Sequence, residues 1–358
     1  MRVLHDFQIF AAQRHGGISR YHLELLRELR SIPGVQPEIV LAWHESVAAQ
    51  VLDGTGIPRG FSWRTPRFKG RFWLSRKVAE YHLSSGRYHL YHPTYYRVFQ
   101  HPPGTRVALT VHDLVHELFP DLMTAGDPTV ALRREALQRA DVLLCVSECT
   151  RRDLLATYPL GDKPVVVTPL ASGLRGQPTG RRFSQRPALL FVGPRGGYKN
   201  FALLRKAWLA DESLRRDCAL VCLGGEEDAD DVRRLPGEVH RYRGDDQLAL
   251  DLYASSSVMV YPSRYEGFGL PILEAMQFGC PVVTTRGGSI PEVAGDAAEY
   301  VEPDDVDALV AAIHRMLGDS ALRERRIDEG RRRASHYTWK SCAERTCAAY
   351  RGVVGQDV

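Results

Sequence analysis

The chain has 358 residues, which is long for one hydrophobic core and predicts two domains. Hydrophobic residues make up 44% of it and charged residues 25%, and the net charge of +4 is too small to indicate a nucleic-acid-binding protein. No apolar run approaches the length of a membrane span, and the opening MRVLHDFQIF lacks the longer apolar core of a signal peptide. These features predict a cytoplasmic protein.

The first half of the chain alternates strand and helix patterns. Tyr21, Leu25 and Leu29 recur at helical spacing, which predicts an amphipathic helix shortly after the opening strand. In chain order, the predicted strands are 1–4, 38–42, 88–92, 107–111, 142–146 and 165–168, and the predicted helices are 17–30, 128–139 and 148–158.

A polar, turn-rich segment, SGLRGQPTGRRFSQR at residues 172–186, predicts an interdomain linker. A second series of elements follows it. The predicted strands there are 188–192, 219–223, 258–261, 282–284 and 299–301, and the predicted helices are 201–210, 247–256, 271–278, 290–294 and 306–317. We therefore expect an N-terminal domain at residues 1–171 and a C-terminal domain at residues 187–335.

Alternation of strands and helices is typical of parallel sheets with helices on both faces. The predicted fold class is α/β, with two Rossmann-like, doubly wound domains facing each other across a cleft. Ligands of such sheets lie beyond the carboxyl ends of the strands, so the functional residues should lie in loops that follow strands.

Seven cysteines are scattered along the chain. The pairs Cys145/Cys149 and Cys218/Cys222 have the same spacing, but neither is accompanied by a second pair at the spacing of a metal site. The sequence therefore predicts buried, inert thiols.

The segment SRYEGFGLPILEAM, residues 263–276, carries two glutamates in an otherwise apolar run after a predicted strand. Carboxylates are rarely buried without partners, so Glu266 and Glu274 should hold something. Gly267 and Gly269, with the N–H groups of the helix that follows, predict a phosphate site. On the first turn of that helix, Glu274 would bind the hydroxyls of a ribose, and Glu266 those of a second sugar. A capped helix with one dipole-stabilised glutamate is the simpler alternative, but it explains only Glu274.

Together with the following QFGCPVVTTRGGSIPEVAGDAAEYVEPDD, this segment resembles the donor-site signature of glycosyltransferase family 4, which has the GT-B fold. Two glutamates separated by seven residues close on a nucleotide-sugar in that family, which implies that Phe268 and Leu270 between them also lie at the donor. Fainter similarity covers nearly the whole chain. Residues 336–358, which contain YTWK, resemble the family's last helix, which crosses back to the first domain.

The resemblance implies that Arg195 and Lys199, in VGPRGGYKNF, form a basic pair that holds the donor diphosphate. Fixed cations stabilise the negative charge that grows on the leaving group as the glycosidic bond breaks. The nucleotide base is expected near Gly225, Tyr242 and Arg243, at strand ends of the second domain.

A diphosphate held by two cations does not need a metal ion. Asp228 and Asp230 have the Asp-x-Asp spacing with which the other major glycosyltransferase fold binds a divalent ion, but their acidic run EEDADD is typical of a solvated surface. We therefore predict no metal, and no cofactor beyond the donor substrate.

Three stretches of the first domain also match the family. Gly16 and Gly17, in HGGISRY, are expected to face the diphosphate and the acceptor. His112, in LTVHDLVHE, follows a predicted strand, and the resemblance places it against the donor sugar near the reacting carbon. The candidates for the acceptor pocket are His92, Tyr95 and Asp113.

Residues 63–77, WRTPRFKGRFWLSRK, interleave six basic residues with four aromatic ones. Such a segment suits an anionic membrane surface or a lipid-diphosphate acceptor, which adds peripheral contact with the inner face of the membrane to the expected localisation. A surface loop whose aromatic side chains pack inward is the alternative.

Family 4 enzymes retain anomeric configuration. Double displacement would need a carboxylate nucleophile under the anomeric carbon, and the motif offers only Glu266, which is committed to sugar hydroxyls. The hypothesis is therefore same-face substitution, in which the departing diphosphate takes the proton of the acceptor. The HDL and YKN variants look most like polysaccharide and O-antigen mannosyltransferases that use GDP-mannose, with a UDP-sugar as the alternative donor. The acceptor is a hydroxyl of a saccharide, a lipid-linked molecule or a natural product.

Other functions share this architecture. A sugar-nucleotide epimerase would act without an acceptor, and a non-catalytic nucleotide-sugar-binding protein would not turn over. A phosphorylase would need a lysine-bound pyridoxal phosphate, and the few lysines offer no obvious site for one.

Overall fold

The computed structural model describes residues 1–13, 16–44, 52, 56–58, 62–64, 68–225, 232 and 234–355. The chain divides into two compact units. The first comprises Met1–Leu118, Thr124–Gly173 and Thr338–Val358, and the second comprises Phe119–Met123 and Leu174–Tyr337.

The described residues of the first unit form eight strands, and six helices before the C-terminal segment. The strands are β1 Arg2–His5, β2 Gln36–Ile39, β3 Ala42–His44, β4 Ser62–Arg64, β5 Leu90–His92, β6 Arg106–Val111, β7 Val142–Cys145 and β8 Val165–Val167. The helices are α1 Gln8–Ala12, α2 Gly17–Arg30, α3 Arg71–Ser84, α4 Val115–Leu118, α5 Thr129–Arg139 and α6 Glu148–Thr157.

Six of these strands form one parallel sheet in the order β2-β1-β5-β6-β7-β8, and β3 pairs with β4 in a small separate sheet. Every residue of β7 is buried, because the sheet is covered on both faces. On α2, Tyr21, Leu25 and Leu29 are fully buried, which confirms the spacing seen in the sequence. The order of the strands reverses between β1 and β5, so the loops after these two strands flank the switch point of the sheet.

The second unit repeats this architecture. Its strands are β9 Ala188–Val192, β10 Ala219–Leu223, β11 Glu238–Tyr242, β12 Val258–Tyr261, β13 Val282–Thr284 and β14 Ala298–Tyr300. The helices are α7 Phe201–Ala210, α8 Glu212–Asp217, α9 Asp246–Ser255, α10 Leu270–Gln277, α11 Ile290–Ala294, α12 Val306–Gly318 and α13 Ser320–Ser335. The parallel order β11-β10-β9-β12-β13-β14 is that of a doubly wound fold, with its switch point between β9 and β12.

The last helix, α14 Trp339–Val354, belongs to the first unit, where it packs against α2. The Trp339 indole N–H donates to the carbonyl of Ser172 at 2.9 Å. Thr338 caps the helix by accepting a hydrogen bond from the backbone N–H of Ser341, so the helix begins directly at the boundary between the units.

Three of the differences between the structure and the sequence predictions have a clear physical reason. The strand expected at 38–42 is broken, because Ala42 has a φ of +46° and starts the separate strand β3. Helix α13 was not predicted, since Gly330 is its only buried residue and it lacks an apolar stripe. The supposed linker 172–186 is largely part of the second unit, where Leu174 and Phe183 are buried in the core.

The seven cysteines are free and buried, as the sequence predicts. Burial raises the pKa of Cys145, Cys280 and Cys342 to about 12, which disfavours the reactive thiolate. Among the described residues, none of the helices is both long enough and apolar enough to cross a bilayer.

Candidate functional site

In the second unit, Glu266 lies in the loop that joins β12 to α10. The loop ends at Gly269, whose φ of +92° favours glycine, and α10 then begins at Leu270 with Pro271 in its first turn. The helix therefore begins beside this loop, as the sequence predicts. Glu266 is only 7% exposed, so its carboxylate depends on partners inside the protein.

The partner of Glu266 is Lys199. The Lys199 ammonium donates to Glu266 Oε1 at 2.7 Å and to the Tyr261 hydroxyl at 2.5 Å. Burial, and secondly the charge of Glu266, raise the pKa of Tyr261 well above its usual value, so Tyr261 stays neutral. Lys199 follows β9 and Glu266 follows β12, so this pair lies at the switch point of the sheet.

Three hydrogen bonds to backbone carbonyls hold these loops in place. The N–H of Arg264 donates to the carbonyl of Tyr198 at 2.8 Å. The side-chain amide of Asn200 donates to the carbonyls of Pro262, at 3.2 Å, and Pro303, at 2.7 Å. The position of Lys199 beside Glu266 is therefore enforced by residues on both sides of it.

A third loop, Gly287-Gly288-Ser289, contacts the backbone of Glu266. The backbone N–H and the hydroxyl of Ser289 both donate to the carbonyl of Glu266, at 2.9 and 3.0 Å. A Cβ at Gly288 would lie 2.3 Å from that carbonyl oxygen, and the φ of +65° also favours glycine. Sequence reasoning assigned no role to this loop, although the two adjacent glycines were a signal of close backbone approach.

Arg195 follows β9 as predicted, but its described contacts are with the glycine turn after β10. Its Nη1 donates to the carbonyl of Gly224 at 2.9 Å, and Arg243 Nε donates to the carbonyl of Gly225 at 2.7 Å. A Cβ at Gly225 would lie 2.6 Å from the Arg195 guanidinium. The structure thus brings Arg195, Gly225 and Arg243 together. Tyr242 lies next to this group at the end of β11, and its carbonyl accepts from the N–H of Gly224 at 3.0 Å.

The predicted position of Glu274 needs correction. The helix starts at Leu270, so Glu274 lies in the second turn of α10 rather than in the first. Its Oε2 accepts a hydrogen bond from the hydroxyl of Tyr253 at 2.9 Å. Tyr253, on α9, is a partner that sequence reasoning missed. Gly267 belongs to the loop before α10, and the buried ring of Phe268 there packs edge-on against Tyr337 at 5.5 Å.

In the first unit, the two predicted glycines lie at the start of α2. Gly16 is the residue that precedes the helix, and Gly17 is its first residue. The Ser19 hydroxyl donates to the carbonyl of Gly16 at 2.9 Å. This is the helix start that the sequence predicts.

His112 directly follows β6. Its ring packs edge-on against Tyr21 at 5.1 Å. Burial, and secondly the positive charge of Arg133, lower the pKa of His112 to about 3, so the imidazole is neutral at physiological pH. Asp113, beside it, accepts a hydrogen bond from the N–H of Val115 at 3.2 Å.

Arg133, on α5, was not singled out in the sequence, yet its side chain lies beside the loop that carries His112 and Asp113. Its side chain is 1% exposed, with Nη1 2.5 Å from Glu117 Oε2 and Nη2 3.7 Å from Asp113 Oδ1. The guanidinium also lies 4.6 Å from the centre of the Tyr96 ring. Arg133 is four residues from both Thr129 and Leu137, which are buried on the same helix. This spacing could have indicated in the sequence that Arg133 lies on the buried face.

The acceptor candidates lie in different environments. His92 is fully buried, with Nδ1 2.6 Å from the Tyr350 hydroxyl and Nε2 2.9 Å from Thr110 Oγ1. This corrects the expectation that His92 lines a pocket: β5 ends beneath α14, whose Tyr350 covers the ring. Tyr95 is partly buried, with its hydroxyl 3.5 Å from that of Thr129.

His92 instead belongs to a buried group with His5 and His22. His5 Nδ1 lies 3.3 Å from His22 Nδ1, and the ring centres of His5 and His92 are 4.8 Å apart. Burial lowers the pKa of all three imidazoles. Neither His5 nor His22 was a candidate from the sequence, where they lie far from His92.

The basic, aromatic segment is partly described. Trp63 is 59% exposed and Trp73 is 58% exposed, so these indoles do not pack inward. Phe72 is more enclosed, with its ring 5.1 Å from that of Phe7. Asp228 and Asp230, which were interpreted as solvated, lie outside the described residues, as do residues 65–67.

Comparison with known proteins identifies the family. A model described as Glycosyltransferase Family 4 matches residues 15–171, and one described as Glycosyl transferases group 1 matches residues 186–319. The solved structure of WaaG, a glycosyltransferase involved in lipopolysaccharide biosynthesis, superposes with a TM-score of 0.74 over 99% of this chain and 100% of its own, at 18% identity.

Two curated relatives are mannosyltransferases. O-antigen chain mannosyltransferase B of Escherichia coli is 34% identical over 61% of this chain and 62% of its own length. MMP alpha-(1->4)-mannosyltransferase of Mycolicibacterium hassiacum is 33% identical over 63% and 58%. The matches thus span about three fifths of each relative. The two family models together span most of this chain, which belongs to glycosyltransferase family 4 and has the GT-B fold with two parallel-sheet α/β domains.

Proposed function

We propose that this protein is a retaining glycosyltransferase that moves a hexose from a nucleotide-diphosphate sugar to an acceptor hydroxyl. The observation that carries this proposal is the buried Lys199–Glu266 pair at the switch point of a doubly wound unit, beside the start of α10. A cation, a carboxylate and the N-terminus of a helix at one strand end suit a sugar esterified to diphosphate.

The donor is GDP-mannose, and a UDP-sugar is the alternative. Membership of family 4 supports a nucleotide-sugar, and the mannosyltransferase relatives favour mannose as the hexose. Glu274 binds the ribose, and the base packs near Gly225 and Tyr242.

The transfer proceeds on one face of the sugar. Lys199 and Arg195 stabilise the charge of the departing diphosphate, which takes the proton of the acceptor as the new glycosidic bond forms. Glu266 and His112 orient the sugar through its hydroxyls, for which the neutral imidazole of His112 is suited. No metal at the diphosphate and no further cofactor take part in this scheme.

The acceptor is a saccharide, a lipid-linked molecule or a natural product. The indoles of Trp63 and Trp73 and the side chains of Lys69, Arg76 and Lys77 are exposed, which suits contact with an anionic bilayer. The membrane contact is tested by measuring binding of the protein to phosphatidylglycerol vesicles, with phosphatidylcholine vesicles for comparison. Trp73→Ser with Lys77→Ser should abolish binding, and Leu155→Ser, an exposed apolar residue of α6, should not.

Transfer itself is tested by incubating the protein with GDP- and UDP-sugars and a panel of acceptors. Nucleotide release that depends on the acceptor would support transfer. An isomerised donor would support an epimerase, and binding of the donor without turnover would support a non-catalytic binding protein. Glu266→Ala should abolish transfer and leave nucleotide binding largely intact. The exposed Glu302→Ala is the control, and near-normal turnover of Glu266→Ala would refute the assignment.

A further inference from the structure

The three-histidine cluster, His5, His22 and His92, has no part in the chemistry proposed above. His5 and His92 end the adjacent strands β1 and β5 and are direct partners in the sheet register. Aligned positions of parallel strands project to the same face, so both rings reach the same side of the sheet. There α2 supplies His22, and one ring nitrogen from each residue lies within 4.8 Å of the others.

The distances suit a metal ion. Bonds of about 2.0–2.1 Å from zinc to nitrogen, at tetrahedral angles, separate two ligand nitrogens by about 3.3 Å. His5 Nδ1 and His22 Nδ1 are 3.3 Å apart. The third nitrogen has to approach by rotation of the His92 ring, because all three atoms lie within 4.8 Å but not at one common spacing.

The protonation state also suits a metal ion. Burial is the main cause that lowers the pKa of each histidine, to about 3 for His5 and well below the usual value for His22 and His92. All three are therefore neutral at physiological pH, and a neutral imidazole is the form that binds metals.

The surroundings of the rings resemble an outer shell of ligands. His92 has the hydroxyls of Tyr350 and Thr110 at its two nitrogens, so one hydroxyl can keep the ring oriented while the other yields. His5 Nε2 is buried and has no hydrogen-bond partner in the described part of the chain. This cluster is therefore polar and buried without being fully satisfied.

The ligand type selects the ion. Imidazole nitrogens favour zinc, copper, nickel and cobalt over magnesium and calcium, which prefer oxygen. The cluster also lies at the switch point of the first sheet, where ligands of such folds bind.

We propose that His5, His22 and His92 form a binding site for one divalent transition-metal ion in the first unit. The site does not depend on the proposed transfer, and it is distinct from the donor diphosphate, which the scheme above assigns to Arg195 and Lys199.

The test uses the full chain, freed of metal with EDTA and then dialysed against Zn²⁺ or Co²⁺. We expect one tightly bound zinc per chain by elemental analysis, visible absorption bands of cobalt bound to nitrogen ligands, and a Tm that rises with zinc concentration. His5→Gln and His22→Phe should each weaken binding at least 100-fold. His336→Gln, which removes an exposed histidine, should behave like the wild type.

Circular dichroism shows whether each variant is folded, and His22→Gln provides a second variant at that position if His22→Phe is not folded. Zinc binding that is absent from the folded wild type would overturn the proposal, as would binding that both folded cluster variants retain. Because no sugar donor is used to measure metal binding, this result is independent of whether transfer is observed.

Discussion

Lys199 and Glu266 form an ion pair in which the side chains are 11% and 9% exposed. They are 67 residues apart in the chain and meet because β9 and β12 are neighbours in the sheet. A pair so deeply buried has little water to solvate either charge, so each depends on the other unless a ligand replaces it. A donor that takes hydrogen bonds from Lys199 and gives them to Glu266 would use groups already held in place.

The first prediction concerns the energy of this pair. Lys199→Met should lower the free energy of unfolding by about 3 kcal/mol, because it leaves the Glu266 charge buried without its partner. Adding Glu266→Gln should restore part of that loss, since the stranded charge is then removed. Urea unfolding of the two single variants and the double variant measures the coupling. If the losses of unfolding free energy in the two single variants simply added in the double variant, the predicted coupling would be contradicted.

The second prediction concerns Gly288. Gly288→Ala should lower kcat/KM for the donor at least tenfold, because a methyl group there would displace the Glu266 carbonyl and strain the backbone. Gly318→Ala, at the end of α12, meets no atom within 4 Å and serves as the matched control. If Gly288→Ala kept full activity, the loop would not position Glu266.

The third prediction concerns Glu274. Tyr253→Phe removes one hydrogen bond, worth about 1 kcal/mol, from the carboxylate assigned to the ribose. We expect the KM for the donor to rise about fivefold with little change in kcat. Steady-state kinetics measure this, with Tyr81→Phe on the exposed face of α3 as control. A fall in kcat alone would argue against a ribose contact.

The fourth prediction concerns stability against pH. Six histidines have a lowered pKa in the folded chain: His5, His22, His82, His89, His92 and His112. Between pH 6.5 and about 3 the unfolded chain binds more protons at these sites than the folded chain does. The contribution of these histidines to the free energy of unfolding is therefore complete above pH 6.5 and is lost as the pH falls. The raised pKa of Asp6 acts in the opposite sense, since its contribution is lost as the pH rises above 3.8.

We therefore expect the free energy of unfolding, measured in EDTA, to be at least about 2 kcal/mol lower at pH 5 than at pH 7.5. His22→Phe should reduce that difference because one of the titrating groups is gone. A flat profile in the wild type would show that these rings are solvated in the folded state.

The fifth prediction concerns Arg133 as a positioning residue. Arg133→Met removes a charge that lowers the pKa of His112, so the acid limb of the kcat/KM profile should move to higher pH. Arg133→Lys keeps the charge and should keep the wild-type profile, as should Arg134→Met on the exposed face of α5. An unshifted profile in Arg133→Met would separate Arg133 from His112.

The sequence by itself determined the α/β class, most strands and helices, and the loops that carry Glu266, Lys199 and His112. It could do so because periodicity, capping residues and glycine positions are local properties of the chain. Only the tertiary structure decided that Lys199 pairs with Glu266, that Gly288 lies against the Glu266 carbonyl, and that Arg133 lies beside Asp113. It also decided that His5, His22 and His92 meet, because the order and register of parallel strands bring together residues whose separation in sequence carries no sign of contact.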